Sequence, residues 1–336
     1  MSKNAVIFGG TGFIGIFYAE HLLNYDQYDN VYLFDLELVE DKNFIFRNKI
    51  LSRNENIFQI KGDVRSKIEW IPNVKIDLIV NFAAIHREPG HADQEYYETN
   101  ILGAENVCDW ARNIKCNMIV FSSSISPYGV SETMKNEFTL PVPKTAYGSS
   151  KLVAEKIHKS WRNESNDNKL IIVRPGVVFG PTEDGNVTRL IKSVKNRYFV
   201  FTGNKKIIKA GVYVKELCFA ISWVRKYSVN ENEVLFNMTM NPSPSVEEYV
   251  TEIKKVLKKN IWIPSISIKL ILAISRIIDF ITLPFGIKHP FSYVRILKLV
   301  RSNFIEPKYL LDNKYNYKYT LNEALNDWAI ENPEEW

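Results

Sequence analysis

Short apolar runs punctuate the first half of the chain at Ala5–Phe8, Val31–Phe34, Asn56–Ile60, Leu78–Phe82, Met118–Phe121 and Leu170–Val173. Amphipathic stretches lie between them, the clearest being Ile14–Leu23, Ala104–Arg112 and Lys151–Trp161. The runs do not alternate apolar with polar, so each strand is expected to be covered on both faces, as in a parallel sheet. Helical crossovers between parallel strands are right-handed, which gives a doubly wound α/β layer. After Pro175 the rhythm changes. Gly180-Pro181 and Asp184-Gly185-Asn186 mark turns, and Pro242, Pro244 and Pro264 interrupt the later segments. The pattern predicts a doubly wound parallel-sheet domain over residues 1–175 and a smaller mixed α/β C-terminal lobe over 176–336, with 212–240 returning to the first domain.

Composition narrows the class. The chain has 336 residues, 46% hydrophobic and 24% charged, which excludes a disordered or fibrous protein. A net charge of +5 is too small for a nucleic-acid footprint but suits an enzyme whose substrate carries phosphates. Cys108, Cys116 and Cys218 form no CxxC pair and read as reduced, buried thiols, and no histidine pair stands at metal-ligand spacing, so no metal is expected. Met1–Asn4 leads straight into Ala5–Phe8, too short an apolar stretch for a secretory signal, and a cytoplasmic location is expected. Residues 261–285 are rich in isoleucine and leucine, yet Lys269, Arg276 and Asp279 break the run below the ~20 residues a spanning helix needs. Two readings stand for that segment: an amphipathic helix packed on the body, or a helix resting on a membrane surface.

The strongest local motif is Gly9-Gly10-Thr11-Gly12-Phe13-Ile14-Gly15, placed directly after the first strand and opening a helix. Glycines at these spacings permit a tight turn and close approach of the backbone to a pyrophosphate, with the helix N-terminus facing the anion. Asp35 ends the second strand, where a carboxylate binds the adenosine ribose hydroxyls and repels a 2′-phosphate. Residues 1–175 are thus expected to form a Rossmann domain binding NAD rather than NADP. Tyr147-Gly148-Ser149-Ser150-Lys151 places a phenol and an ammonium on one helix face, where the cation favours phenolate. Upstream, the strand Met118–Phe121 runs into Ser122-Ser123-Ser124, hydroxyls at the sheet end where crevices take ligands.

Taken in order, these features resemble the extended short-chain dehydrogenases/reductases, and within them the nucleotide-sugar epimerases typified by UDP-galactose 4-epimerase. The resemblance includes Gly62-Asp63-Val64, Asn81-Phe82-Ala83-Ala84, Asn100, Tyr128-Gly129 and Arg174-Pro175 leading to Phe179-Gly180-Pro181. It implies Ser124, Tyr147 and Lys151 as catalytic residues. It implies a cofactor set of Gly9, Gly12, Phe13, Ile14, Gly15, Asp35, Asp63, Val64, Ala83, Ala84, Asn100, Tyr147, Lys151 and Pro175. Asn100 would also keep the active-site helix in place. For the substrate it implies His86, Ser124, Tyr147, Asn186 and Lys209, the last facing a diphosphate from Ile208–Val214. The implied activity is C4 epimerisation of a UDP-hexose or a related amino or deoxy sugar through a 4-keto intermediate, in polysaccharide biosynthesis, by a homodimer. The alternative is a nucleotide-sugar 4-ketoreductase or dehydrogenase using the same residues. Two departures matter. Ile125-Ser126 follows Ser124 where the related 4,6-dehydratases carry an Asp-Glu pair, and the loop His86-Arg87-Glu88-Pro89-Gly90-His91 is unusually charged.

Overall fold

Seven parallel strands form the central sheet of the computed structural model, which describes residues 2–40, 44–88, 90–282 and 302–336. The strands are β1 (Asn4–Phe8), β2 (Asn30–Asp35), β3 (Ile57–Lys61), β4 (Leu78–Asn81), β5 (Met118–Ser122), β6 (Lys169–Pro175) and β10 (Glu233–Met238). Their order is β10-β6-β5-β4-β1-β2-β3, so the chain reverses its direction of travel between β1 and β4. That switch point leaves a crevice beyond the carboxyl ends of the strands.

Both faces of the sheet are covered, which is why its strands read as continuous apolar runs. Ile7, Leu33 and Val80 point to one core with Ile16 and Leu22 of α1 (Phe13–Asn24) and Leu217 and Ile221 of α6 (Val214–Tyr227). Val6, Phe8 and Ile79 point to the other, with Trp110 of α3 (Asp93–Asn113) and Trp161 of α4 (Ala146–Asn163). Helix α3 begins eleven residues before the apolar stretch at Ala104. Its polar first turns are held by the Glu95 carboxylate, which accepts the Ala92 N–H at 2.9 Å. Helix α2 (Ile45–Ser52) has no apolar period to betray it, since Arg47, Asn48 and Lys49 separate its buried Phe46 and Ile50.

The remaining elements form two small paired sheets and flanking helices. Strand β7 (Val177–Phe179) pairs with β9 (Gly211–Tyr213), and β8 (Phe201–Thr202) pairs with β11 (Ser265–Ile266), both in parallel. Within 212–240, then, β9 lies outside the large sheet, α6 packs on α1 and β10 is the seventh strand beside β6. Helices α5 (Asn186–Lys195), α7 (Val246–Val256), α8 (Ile268–Thr282), α9 (Lys308–Asp312) and α10 (Leu321–Glu331) are the lobe's α-helices among the described residues. Of the segment 261–285, residues 283–285 lie outside the described residues, as does Pro89. Among the described residues no helix is long and apolar enough to cross a membrane. The three cysteines are buried and unpaired.

Helix α4 is fastened to the sheet by a buried ion pair. The Arg174 Nε and Nη2 groups of β6 donate to Glu155 at 2.7 and 2.6 Å, with the side chains 4% and 2% exposed. Breaking such a pair strands one charge in the interior, at a cost of about 3–5 kcal/mol. Arg174→Met is therefore expected to lower unfolding free energy by about that amount in urea titrations. The double replacement Glu155→Gln with Arg174→Met, which strands no charge, is expected to lose clearly less.

Candidate active site

The crevice at the switch point is a cavity of about 870 Å³, walled on one side by the sheet ends and on the other by the C-terminal lobe. Its floor begins with the glycine turn. Gly9 has φ +74°, a region few L-residues enter, and a Cβ there would stand 2.6 Å from the Ala83 amide nitrogen. A Cβ on Gly15 would stand 2.5 Å from the Gly9 carbonyl oxygen, so α1 could not lie so close behind the turn. The N-terminus of α1 is thereby aimed into the cavity, where its free N–H groups favour an anion. Asp35 accepts the N–H groups of Thr11 at 3.1 Å and Leu36 at 2.8 Å, so it braces the turn as well as closing β2. Behind it the Arg47 guanidinium donates to the Thr11 carbonyl at 2.9 Å, a support with no sequence signal because α2 itself has none.

The reacting end lies at the far side of β4 and β5. Helix α4 starts where Thr145 Oγ1 accepts the Gly148 N–H at 3.1 Å, and this cap sets Tyr147 and Lys151 one turn apart on the cavity side. The serine run divides its hydroxyls. Ser123 turns inward and donates to Glu155 at 2.5 Å, while Ser124 faces the cavity, where its Oγ accepts the Ser126 N–H at 3.1 Å. Lys151 donates to the Ser122 carbonyl at 2.8 Å and lies 4.8 Å over the Phe121 ring.

Burial shapes the electrostatics of this floor. Burial pushes the Tyr147 phenol up to about 12, against the opposing hydrogen bond with Ser124. Burial also pushes the Lys151 ammonium down to about 7, with Glu155 opposing. The low-dielectric floor thus disfavours both charges, and the ammonium is engaged by the Ser122 carbonyl.

Of the residues singled out from sequence, Gly9, Gly12, Phe13, Ile14, Gly15, Asp35, Asp63, Val64, Ala83, Ala84 and Pro175 line the cavity. His86, Ser124, Tyr147, Lys151 and Asn186 line it too. Burial, then the Arg87 and Lys151 charges, push the His86 imidazole below its usual value, so it is neutral at pH 7. Two residues stand back. Asn100 is buried behind the wall and clamps the loop after β4 to α4, accepting from Ile85 N–H at 3.0 Å and donating to Ser150 Oγ at 2.9 Å. Lys209 is not among the lining residues: its backbone pairs with Asn303, which is, and burial pushes its ammonium down to about 8. Among the described residues of the C-terminal lobe, the cation that lines the cavity is Arg189, one turn along α5 and bonded to Asn186 Oδ1 at 2.9 Å. Sequence reading also missed Glu155, although it follows Lys151 by four residues on the same helix face.

A family model matches residues 5–237, and its description is the NAD dependent epimerase/dehydratase family. The chain belongs to that family. It is an NAD-dependent enzyme, and the cradle fits: a glycine turn no side chain could enter, a helix N-terminus and a strand-end carboxylate face one cavity. Among curated family relatives, the chain is 26% identical to the N-acetyl-alpha-D-glucosaminyl-diphospho-ditrans,octacis-undecaprenol 4-epimerase of Escherichia coli O157:H7, over 97% of this chain and 94% of that one. In fold it is similar to a crystal structure of UDP-galactose 4-epimerase (TM-score 0.72, 20% identity, 99% of this chain and 100% of that one). It is similar too to UDP-glucuronic acid 4-epimerase from Bacillus cereus in complex with NAD (TM-score 0.72, 18% identity, 98% and 99%).

The double engagement of Asp35 sets a measurable expectation. Asp35→Ala is expected to weaken NAD binding by ~10–100-fold, the scale of one or two hydrogen bonds to a charged group, and to narrow the preference over NADP. Calorimetric titration with both dinucleotides reads this, and an unchanged preference would remove Asp35 from the ribose.

Proposed function

We propose that this chain is an NAD-dependent 4-epimerase of a hexose carried on a diphosphate, with a UDP-hexose or a related amino or deoxy sugar as the expected substrate. The observation that carries the reading is the meeting of Ser124, Tyr147 and Lys151 with the glycine cradle in one cavity, with Ile125-Ser126 in place of an acidic pair after Ser124. In this reading residues 1–175, with 212–240 returning, hold NAD, and 176–336 hold the sugar's carrier, Asn186 and Arg189 facing the diphosphate side.

When bound, NAD accepts hydride from the sugar carbon and returns it, and its cationic ring adds positive charge to the cavity floor. Tyr147 Oη takes the proton of the sugar 4-hydroxyl as that carbon is oxidised, and gives it back as the carbon is reduced on its other face. Ser124 Oγ hydrogen-bonds the same oxygen throughout. Lys151 holds the cofactor ribose and contributes the charge that brings Tyr147 down from about 12. Neutral His86 lies on the sugar side of the wall as a hydrogen-bonding contact. Elimination across the sugar has no acid–base pair beside Ser124 to carry it.

A second reading of the reaction, 4-keto reduction or its reverse, uses the same residues and differs in whether the ketone turns over or leaves. A second reading of the carrier is favoured by the Escherichia coli relative, whose named substrate is a sugar on undecaprenyl diphosphate and which matches nearly the whole chain. A place in polysaccharide assembly suits either carrier. The buried, unpaired cysteines support a cytoplasmic location, and exposed Tyr97 and Leu102 on α3 with Val153 on α4 support a homodimer.

Tyr147→Phe is expected to lower turnover at least ~100-fold while NAD binding stays near wild type, the usual scale for losing a positioned acid/base. Near-normal turnover would end the proposed mechanism. Denatured wild-type protein is expected to release stoichiometric NAD, since an epimerase regenerates its cofactor in each cycle. Protein that releases none and consumes NAD(P)H on a keto sugar would be the reductase.

A further inference from the structure

The end of α7 and the start of α8 present an unusual surface. Between Glu252 and Asp279 the chain carries Lys254, Lys255, Lys258, Lys259, Lys269 and Arg276 and no acidic residue. Lys255, Lys258, Lys259 and Lys269 are exposed, although Lys255 reaches back to Glu252 at 2.6 Å. Among these charges Trp262 is 84% exposed and Leu270 55% exposed, while Ile261 between them and the lysines is buried and anchors the segment. Helix α8 is otherwise aliphatic and aromatic, broken only by Lys269, Ser275, Arg276, Asp279 and Thr282. A water-exposed tryptophan flanked by lysines and an apolar helix is costly on a face that meets only water. It is the composition that suits a charged interface with an apolar layer beneath it.

We propose that this face, from Lys254 through Trp262 to the first turns of α8, docks the enzyme on an anionic phospholipid surface. The lysines meet the headgroup charge, and Trp262 and Leu270 enter the boundary between headgroups and acyl chains. The fifteen described residues of α8 fall short of a span, and in this proposal they lie on the bilayer. The placement in the fold gives the docking a purpose. Strand β11, which leads into α8, pairs with β8, and β8 follows α5, whose first turn brings Asn186 and Arg189 to the cavity. The docking face thus belongs to the lobe proposed to hold the diphosphate. This deepens the proposed function and rests on it for the choice of carrier: a sugar diphosphate anchored in the membrane by a polyprenyl chain would meet the cavity from the lobe that touches the bilayer.

Flotation of the full chain with vesicles tests the docking without any turnover. Wild type is expected to bind phosphatidylcholine vesicles containing phosphatidylglycerol at least ~10-fold more tightly than pure phosphatidylcholine, and to lose most of that preference at high salt. Lys258→Glu with Lys259→Glu, and separately Trp262→Ala, are each expected to weaken binding ~10-fold while leaving NAD affinity and turnover of a soluble UDP-sugar unchanged. Tyr147→Phe is expected to float like wild type, so failure of the chemistry and failure of the docking are read apart. The proposal is overturned if wild type binds neither vesicle, if both variants float like wild type, or if the face instead mediates self-association that Trp262→Ala abolishes without vesicles.

Discussion

Glu155 carries a carboxylate into the interior with 1% of the residue exposed, and three parts of the site are arranged around it. It accepts the paired donors of Arg174 from β6 and the hydroxyl of Ser123 at the end of β5, and its charge opposes the deprotonation of Lys151 one turn earlier on α4. Burial works against the Arg174 charge, yet the Glu155 bonds and charge hold its guanidinium more firmly protonated than usual. Arg174 in turn lies 4.7 Å over the Tyr128 ring, whose hydroxyl donates to Asn237 of β10 at 2.9 Å. One carboxylate therefore fixes the rotation of the helix bearing Tyr147 and Lys151 and divides the serine run. With Ser123 bonded inward to Glu155, the Ser124 hydroxyl stands at the cavity beside Tyr147.

The same low-dielectric interior explains the titration of the floor. Taken alone, the chain favours an uncharged phenol up to about pH 12 and an uncharged amine above about pH 7. Two groups whose environments both resist charge are a poor base and a poor cation, which is the opposite of what proton abstraction needs. A cationic ring and a ribose held in the cavity would change both at once, the ring favouring phenolate and the ribose hydroxyls offering the ammonium new partners. In the proposed mechanism binding and activation would therefore be coupled, the base becoming competent where hydride could be taken.

The parts of the site legible in sequence are those whose meaning is local. The glycine turn, Asp35 and the spacing of Tyr147 and Lys151 each encode a geometry within a few residues, so the pattern and the position coincide. The strands were legible because two-sided burial leaves continuous apolar runs. What escaped depends on distant pairing. Lys209 sits in a suggestive stretch, but that stretch is turned by the pairing of β9 with β7 and of Lys209 with Asn303, which leaves Arg189 facing the cavity instead. Helix α2 and the first turns of α3 escaped because their stability comes from a capping carboxylate and from contacts to other elements rather than from an apolar period.

The wall opposite the sheet shows how such distant pairing is enforced. Glu137, on the loop before α4, accepts the N–H of Asn237 at 2.8 Å, of Lys308 at 3.1 Å and of Tyr309 at 3.2 Å. Its carboxylate thus satisfies the open N-terminus of α9 and holds β10 beside it, while burial raises its pKa above the usual value. Asn237, fully buried, also donates to the Glu306 carbonyl at 3.1 Å, and Lys135 pairs with Ile305. Residues 303–306 are therefore gripped from the loop before α4 on one side and from Ile208–Lys209 on the other. Because Gly129, Ser131 and Asn303 line the cavity, the shape of this wall is set by polar bonds between segments a hundred or more residues apart. Bonds of that kind lose their partners together when any one segment shifts, so this wall is expected to behave as one unit, whereas the exposed Arg87–Asp184 pair at 3.1 Å adds little to hold the mouth.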